Sequence, residues 1–374
     1  MRFKPIMIIL SIVMTISMIA GCGPERTDDE ILIGVMVPTS GDTAYFGNDM
    51  FQSYQLAVHE INAAGGVLGR QLRLFQADDG CDATMASSAA ARIIAQRPDF
   101  VIGGYCSGAT LATLQQYYDA GLLMLISASN STQITEAGFS QTFMLNSPGS
   151  HAAVSLKELC QWLGAQNVAL IHQGCAYSSD LASISAEVLT QHGINIATVQ
   201  VMEPGAPDVS AIVTAIRNAG ADFVYWCAYH ADGSNVIKQL RQGGFEGHIA
   251  VGDGSASVDL ITAAGPEGEG VFVTSPPFVE FSVGGERFVA DYTAMFGHPP
   301  GTFATLSYDT VYVLAAAIEA AGTLEMAAVR DAVQNIEHQG LSGLIKFTPQ
   351  RELAESNFII LEIRDGRFQL VNMD

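Results

Sequence analysis

Apolar runs and amphipathic stretches alternate along almost the whole chain. Residues 31–37, ILIGVMV, form an unbroken apolar run, the pattern of a strand buried on both faces. The turn chemistry of Pro38-Thr39-Ser40-Gly41-Asp42 ends it. Phe51, Tyr54, Val58 and Ile61 then recur at helical spacing and stop at Gly65-Gly66. The same reading predicts strands over 71–77, 100–103 and 122–127, and helices over 83–95 and 109–120. After Pro148-Gly149 the pattern restarts. Helices are expected over 152–163, 181–191, 209–219 and 234–241, followed in turn by strands over 168–172, 194–201, 223–226 and 249–252. Beyond Pro276-Pro277 come helices over 286–295 and 305–320, then strands at 344–347 and 358–363 joined by a polar turn.

Two successive strand–helix series predict an α/β protein of two lobes, each with a mostly parallel sheet flanked by helices. Open α/β sheets bind ligands beyond the carboxyl ends of their strands, so the chemistry is sought there. After the third strand, Gly103-Gly104-Tyr105-Cys106-Ser107-Gly108 opens a helix. Unpaired N–H donors, partial positive charge and a serine hydroxyl suit a carboxylate. A serine there is also an ordinary helix cap, and spacing leaves both readings open. The loop Ser127-Ala128-Ser129-Asn130-Ser131-Thr132 exposes backbone groups and short donors, which by itself is common loop composition. In the second lobe three strand ends carry Tyr177, Tyr229 and Asp253. Singly, each reads as a packed tyrosine or a capping aspartate. Together they outline a pocket with two aromatic walls and a carboxylate that would pair with an ammonium.

The N-terminus changes the picture of where the protein works. Arg2 and Lys4 precede a largely apolar run over 6–18, too short for the roughly 20 residues of a membrane span. Ala20-Gly21 before Cys22 is similar to a bacterial lipobox, which implies a signal peptide over 1–21, an acylated Cys22 and a polar leash over 22–30. An uncleaved anchor is the alternative. The roughly 350 residues that remain suit two lobes rather than one core. A formal charge of −21 excludes a nucleic-acid partner, and 49% hydrophobic residues exclude a disordered chain. Cys22 apart, there are five cysteines, an odd number, so one thiol is left over. No C-x-x-C, G-x-S-x-G, H-E-x-x-H or P-loop is present, and Asp78, Asp79 and Asp82 lack EF-hand spacing. The sequence therefore gives no sign of an enzyme, a metal or a cofactor.

Taken in order, IGVMVPTSGDTAYFG, AVHEINAAGGVLGRQLRL, DDGCDAT, FVIGGYCSGAT, FVYWCAYH and VGDGSASVDL resemble the leucine/isoleucine/valine-binding family of periplasmic solute-binding proteins. The resemblance runs from about Ile31 to the C-terminus. It implies a type I periplasmic-binding-protein fold with three hinge crossings, one lobe over 31–147 plus 277–352 and the other over 148–276 plus 353–374. It also implies roles. Ser107 would bind the α-carboxylate of an amino acid, and the Ala128 carbonyl its ammonium. Asn130 stands where the family has Thr or Ser that contacts both groups. Asp253, shorter than the usual Glu, would pair with the ammonium. Tyr177 and Tyr229 would form the lid, with Phe46 opposite. Tyr105 replaces an aliphatic residue. It fills part of the side-chain pocket, stacks on a polar ligand, or rotates outward. Cys81 and Cys106 match a family disulfide, and a second pair, Cys175 with Cys227, is expected beside the lid, leaving Cys160 as the free buried thiol. The implied function is capture of a small amino acid by a monomer, lipid-anchored on the periplasmic or cell-surface side, for an ABC permease and its ATPase subunits. Amides, urea or aromatic acids, and a sensor partner, are the alternatives; Asp253 argues against ligands without an ammonium.

Overall fold

A computed structural model of the chain describes residues 29–373. The signal peptide expected over 1–21, the acylated Cys22 and most of the 22–30 leash lie outside the described residues.

The apolar runs become parallel strands because each is covered on both faces. In the first lobe these are β1 (Glu30–Val37), β2 (Gln71–Asp78), β3 (Phe100–Gly103), β4 (Leu123–Ile126) and β5 (Thr142–Met144), all parallel in the order β2-β1-β3-β4-β5. Helices α1 (Ala44–Ala63), α2 (Ala83–Ala95), α3 (Ser107–Leu111), α4 (Leu114–Asp119) and α5 (Gln133–Glu136) connect them. Ile31, Ile33, Val35 and Val37 are fully buried in one core with Tyr54 of α1 and Ile93 of α2. The single helix expected over 109–120 is two short ones. The Thr113 hydroxyl donates back to the Thr110 carbonyl at 2.8 Å, a local bond that competes with helix continuation. The helix α5 and strand β5 are too short to show a period, and the pattern missed both.

The chain then enters the second lobe through α6 (Gly149–Leu163). Strands β6 (Asn167–His172), β7 (Asn195–Val201), β8 (Phe223–Trp226), β9 (His248–Val251) and β10 (Phe272–Ser275) alternate with α7 (Ala176–Gln191), α8 (Ser210–Asn218), α9 (His230–Gln242) and α10 (Val258–Ala264). It returns to the first lobe as α11 (Gly285–Phe296), α12 (Ala304–Ala321) and α13 (Met326–Gln334). There β11 (His338–Gly340) pairs with β12 (Gly343–Ile345). Residues of α12 join the first lobe's core. Finally β13 (Ile359–Arg364) and β14 (Arg367–Leu370) extend the second sheet antiparallel, in the order β14-β13-β10-β9-β8-β6-β7. The two tail strands expected to be joined by a turn therefore belong to different lobes. An apolar run marks a strand but not its partner; β13 finds its place beside β10. The strand β10 itself and α10 and α13 went unread. Three passages of chain connect the lobes, after β5, after β10 and after β12. The carboxyl ends of β3 and β4 face those of β6, β8 and β9 across the cleft between them.

Candidate ligand-binding cleft

Construction of the cleft begins at Gly103-Gly104. Both have positive φ, 128° and 79°, and a Cβ on Gly103 would lie 2.1 Å from the Met36 carbonyl oxygen. Only glycine lets β3 end this tightly against β1. The turn delivers Tyr105, Cys106 and Ser107 into the cleft. Cys106 is bonded to Cys81, as expected, with a Cα–Cα distance of 5.3 Å. Ser107 is buried at the start of α3, and its Oγ accepts the Ser131 N–H at 3.3 Å, which ties it to the loop after β4.

Asp253 comes from the other lobe, in the turn after β9, and is 2% exposed. Its carboxylate reaches across the cleft. Oδ2 accepts from Asn130 Nδ2 at 2.9 Å and from Asn146 Nδ2 at 3.1 Å. Oδ1 accepts from the Tyr177 hydroxyl at 2.7 Å, and that hydroxyl accepts the Gly254 N–H at 3.0 Å. Among the described residues no lysine or arginine forms an ion pair with it. Burial pushes its pKa up to about 6, against the pull of the Tyr177 and Asn146 hydrogen bonds. The site thus holds a buried carboxylate surrounded by neutral donors. Asn146 Nδ2 also donates to the Ala128 carbonyl at 2.8 Å.

Aromatic rings close the rest. Tyr177 and Tyr229 pack with centroids 5.1 Å apart. Tyr105 stacks on Phe46 at 4.9 Å and 14°, meets Phe303 edge-on at 5.4 Å and lies 5.9 Å from Tyr229. It points inward, which corrects the outward rotamer among the expectations: Phe46 and Phe303 offer it a ring-sized slot. Its hydroxyl is buried without a hydrogen-bond partner in the structure. Burial first, and Asp253 second, raise the Tyr105 and Tyr177 hydroxyls well above their usual pKa, so both stay protonated. His230 sets its ring edge-on to Phe46 at 5.1 Å, and burial lowers its pKa.

Ser107, Ala128, Asn130, Tyr177, Tyr229, Asp253, Tyr105 and Phe46 are therefore brought to one cleft. Sequence reasoning missed Asn146, because β5 gave no strand end to inspect, and Phe303, which directly precedes a predicted helix and was not weighed. It also erred on the second disulfide. Cys175 and Cys227 are both free thiols. Cys175 is exposed at the start of α7, near the Ser178 hydroxyl, whereas Cys227 is buried in the core beneath the sheet. The neighbouring strand ends were read correctly, but the two side chains leave them on different sides. Cys160 is free and buried as expected.

The expected loop acids are used locally. Asp78 accepts the Thr39 and Gly80 N–H groups, Asp79 that of Cys81, and Asp82 caps α2. Among the described residues no cluster of His, Cys, Asp and Glu suits a metal ion. A cavity of ≈ 340 Å³ opens at the cleft mouth, lined by Asp42, Thr43, Gln173, Tyr229, His230 and Asp232 among others. A larger one, ≈ 680 Å³, lies elsewhere on the first lobe around Glu60, Arg287 and Tyr308, and shares no residue with the clamp.

Comparison with known proteins places this architecture. Residues 30–367 match the periplasmic binding protein family, and the chain belongs to it. A curated relative from Pseudomonas aeruginosa, described as a leucine-, isoleucine-, valine-, threonine- and alanine-binding protein, is 26% identical over 335 residues, covering 89% of this chain and 90% of its own. The leucine-binding protein LivK of Thermotoga maritima superposes with a TM-score of 0.85 at 24% identity, covering 91% of this chain and 98% of its own. A solute-binding protein of an ABC transporter from R. palustris, in complex with benzoate, superposes at 0.82 with 17% identity, covering 91% and 95%. The two-lobed type I fold is common to all. Members of this family are substrate-binding proteins that act outside the cytoplasm.

Proposed function

We propose that this protein captures a small α-amino acid as its zwitterion and delivers it, by cleft closure, to an ABC importer. The observation that carries the reading is Asp253: a buried carboxylate at the meeting of the two lobes with only neutral partners. An ammonium supplies the missing positive charge. The Ala128 carbonyl is its second acceptor. The ligand's carboxylate meets the Ser107 hydroxyl and the backbone at the start of α3 on the first lobe. Charge-assisted hydrogen bonds contribute about 1.5–3 kcal/mol each, so a few of them support a micromolar complex near −8 kcal/mol after association costs. Because Asp253 and Ser107 lie on opposite lobes, one small ligand bridges them and favours closure. Tyr105, stacked into the side-chain space, favours a small side chain. The curated relatives that bind aliphatic amino acids support the class. Cys22, in this reading, carries the lipid that anchors the protein to the membrane, and the lobe boundaries fall at 147/148, 276/277 and 352/353.

A thermal-shift screen of the purified protein against the twenty amino acids, short amides, urea and aromatic acids tests the reading. A binder raises the melting temperature as RT ln(1 + [L]/Kd). A shift with one or a few small α-amino acids is expected. A shift with aromatic acids alone would replace the amino-acid reading and leave the fold untouched.

A further inference from the structure

The proposed clamp offers the ligand's ammonium two acceptors, the Ala128 carbonyl and the Asp253 carboxylate. In the structure a single nitrogen already reaches both. Asn146 Nδ2 is 2.8 Å from the Ala128 oxygen and 3.1 Å from Asp253 Oδ2. A primary amide has two N–H donors, so both bonds are made at once. Asn146 follows β5 in the first lobe, and Asp253 follows β9 in the second. The amide therefore spans the cleft. Asn130 Nδ2 adds a second bond between the lobes, to the same Asp253 oxygen at 2.9 Å. Asn146 is 0% exposed, and its Oδ1 has no hydrogen-bond partner among the described residues. A buried carbonyl left unpaired is destabilising. The side chain is thus held in place by what its nitrogen meets, at the expense of its oxygen.

We propose that Asn146 is an internal stand-in for the ligand's ammonium: it latches the ligand-free cleft shut, and an incoming α-amino acid must displace it. The identity of the displacing group rests on the amino-acid reading; the latch does not. Displacement has a clear direction. The amide brings two neutral donors, whereas an ammonium brings three and a full charge. Hydrogen bonds between ionised partners are roughly twice as strong as neutral ones. An internal competitor also weakens the apparent affinity by the fraction of protein in which it is disengaged. Removing Asn146 should therefore do the opposite of removing a ligand contact: binding tightens.

The test compares the wild type with Asn146→Ala and Asn146→Ser by small-angle X-ray scattering without ligand, and by calorimetric titration with L-alanine and L-leucine. The serine variant keeps a polar atom in the buried site should the alanine variant fail to fold. The wild type should scatter as the closed form. The variants should shift the open-to-closed ratio toward open by about tenfold, as expected for one hydrogen bond to a charged group. They should bind the amino acid that titrates about five- to tenfold more tightly, by the same magnitude. A wild type already open without ligand, variants with unchanged scattering, or weaker binding by a folded variant would each overturn the proposal. The scattering needs no ligand. Failure of both amino acids to bind would count against the amino-acid reading alone, and the scattering would still decide the latch.

Discussion

Asp253 shows how far one residue can be argued. Its three side-chain donors, Tyr177, Asn130 and Asn146, leave the charge itself uncompensated. Replacing it by alanine removes the ammonium's charged acceptor. Affinity for the amino acid should fall by about 10- to 100-fold, the worth of a charge-assisted bond, as read by titration calorimetry at pH 7.5. The pH dependence has a definite sign. The carboxyl titrates at about 6 in the ligand-free protein, and an ammonium beside it favours the ionised form. Affinity should therefore weaken as the pH falls below about 6, with a proton released on binding there. Titrations in buffers of different ionisation enthalpy read that proton directly. Binding that is unchanged between pH 5 and 7.5 would contradict this role for Asp253. Tyr105 belongs to the same scale. Tyr105→Leu opens the slot between Phe46 and Phe303 and should shift the preference toward larger aliphatic side chains, measured as a changed ranking in the thermal-shift screen. Ser107, Tyr177, Tyr229 and Asp253 were legible in the sequence because they follow apolar runs that had to be strands. Asn146 was not, since its strand is three residues long. Nor does any local pattern say whether Tyr105 faces in or out; that depends on Phe303, nearly 200 residues away, by about.

The element that matters most is the turn from β3 into α3. Two glycines with positive φ, one disulfide and the Ser131 N–H fix it. The Cys81–Cys106 bond closes a loop with a sequence separation of 25 and should be worth about 3 kcal/mol in the chain-entropy model. Reduction, or Cys81→Ser with Cys106→Ser, should lower the melting temperature and weaken ligand binding together, because the same loop carries Ser107. An unchanged affinity in the reduced protein would separate the disulfide from the site. Thiol titration checks the other cysteines within the described residues. Cys175 should react in the native protein, and Cys160 and Cys227 only after unfolding. At this scale the sequence was informative where elements are long and periodic: α2 falls where predicted, at Ala83–Ala95, and β8 at Phe223–Trp226. It was blind to α5 and β5, and it paired the tail strands wrongly because strand partnership is decided by the far side of the chain.

For the whole molecule, buried acids dominate the response to pH. Burial pushes Asp49, Asp79 and Asp253 each up to about 6 from an ordinary 3.8. A carboxyl whose folded pKa is raised favours the folded state most when protonated. Its contribution is full below 3.8 and is lost as the pH rises through about 6. A formal charge of −21 adds self-repulsion with the same sign. The ligand-free protein should melt higher at pH 5 than at pH 7.5 in a calorimetric scan; a lower melting temperature at pH 5 would mean that other carboxylates outweigh these three. The lobes are also tied at their hinge. Ser147 Oγ donates to Asn357 Oδ1 at 2.7 Å and accepts the Asn357 N–H at 2.9 Å, joining the first and third connections. The two-lobed plan could be read from the restart after Pro148. The closed cleft could not, because it depends on side chains more than 100 residues apart, such as Asn146 and Asp253.

The central claim is that the cleft recognises an α-ammonium. Titration calorimetry at pH 7.5 with the best amino acid from the screen, and with the same molecule lacking only its amino group, tests it most directly. The account predicts that the deaminated acid binds at least about tenfold more weakly, the loss of one charge-assisted bond. Equal or tighter binding of the deaminated acid would contradict it.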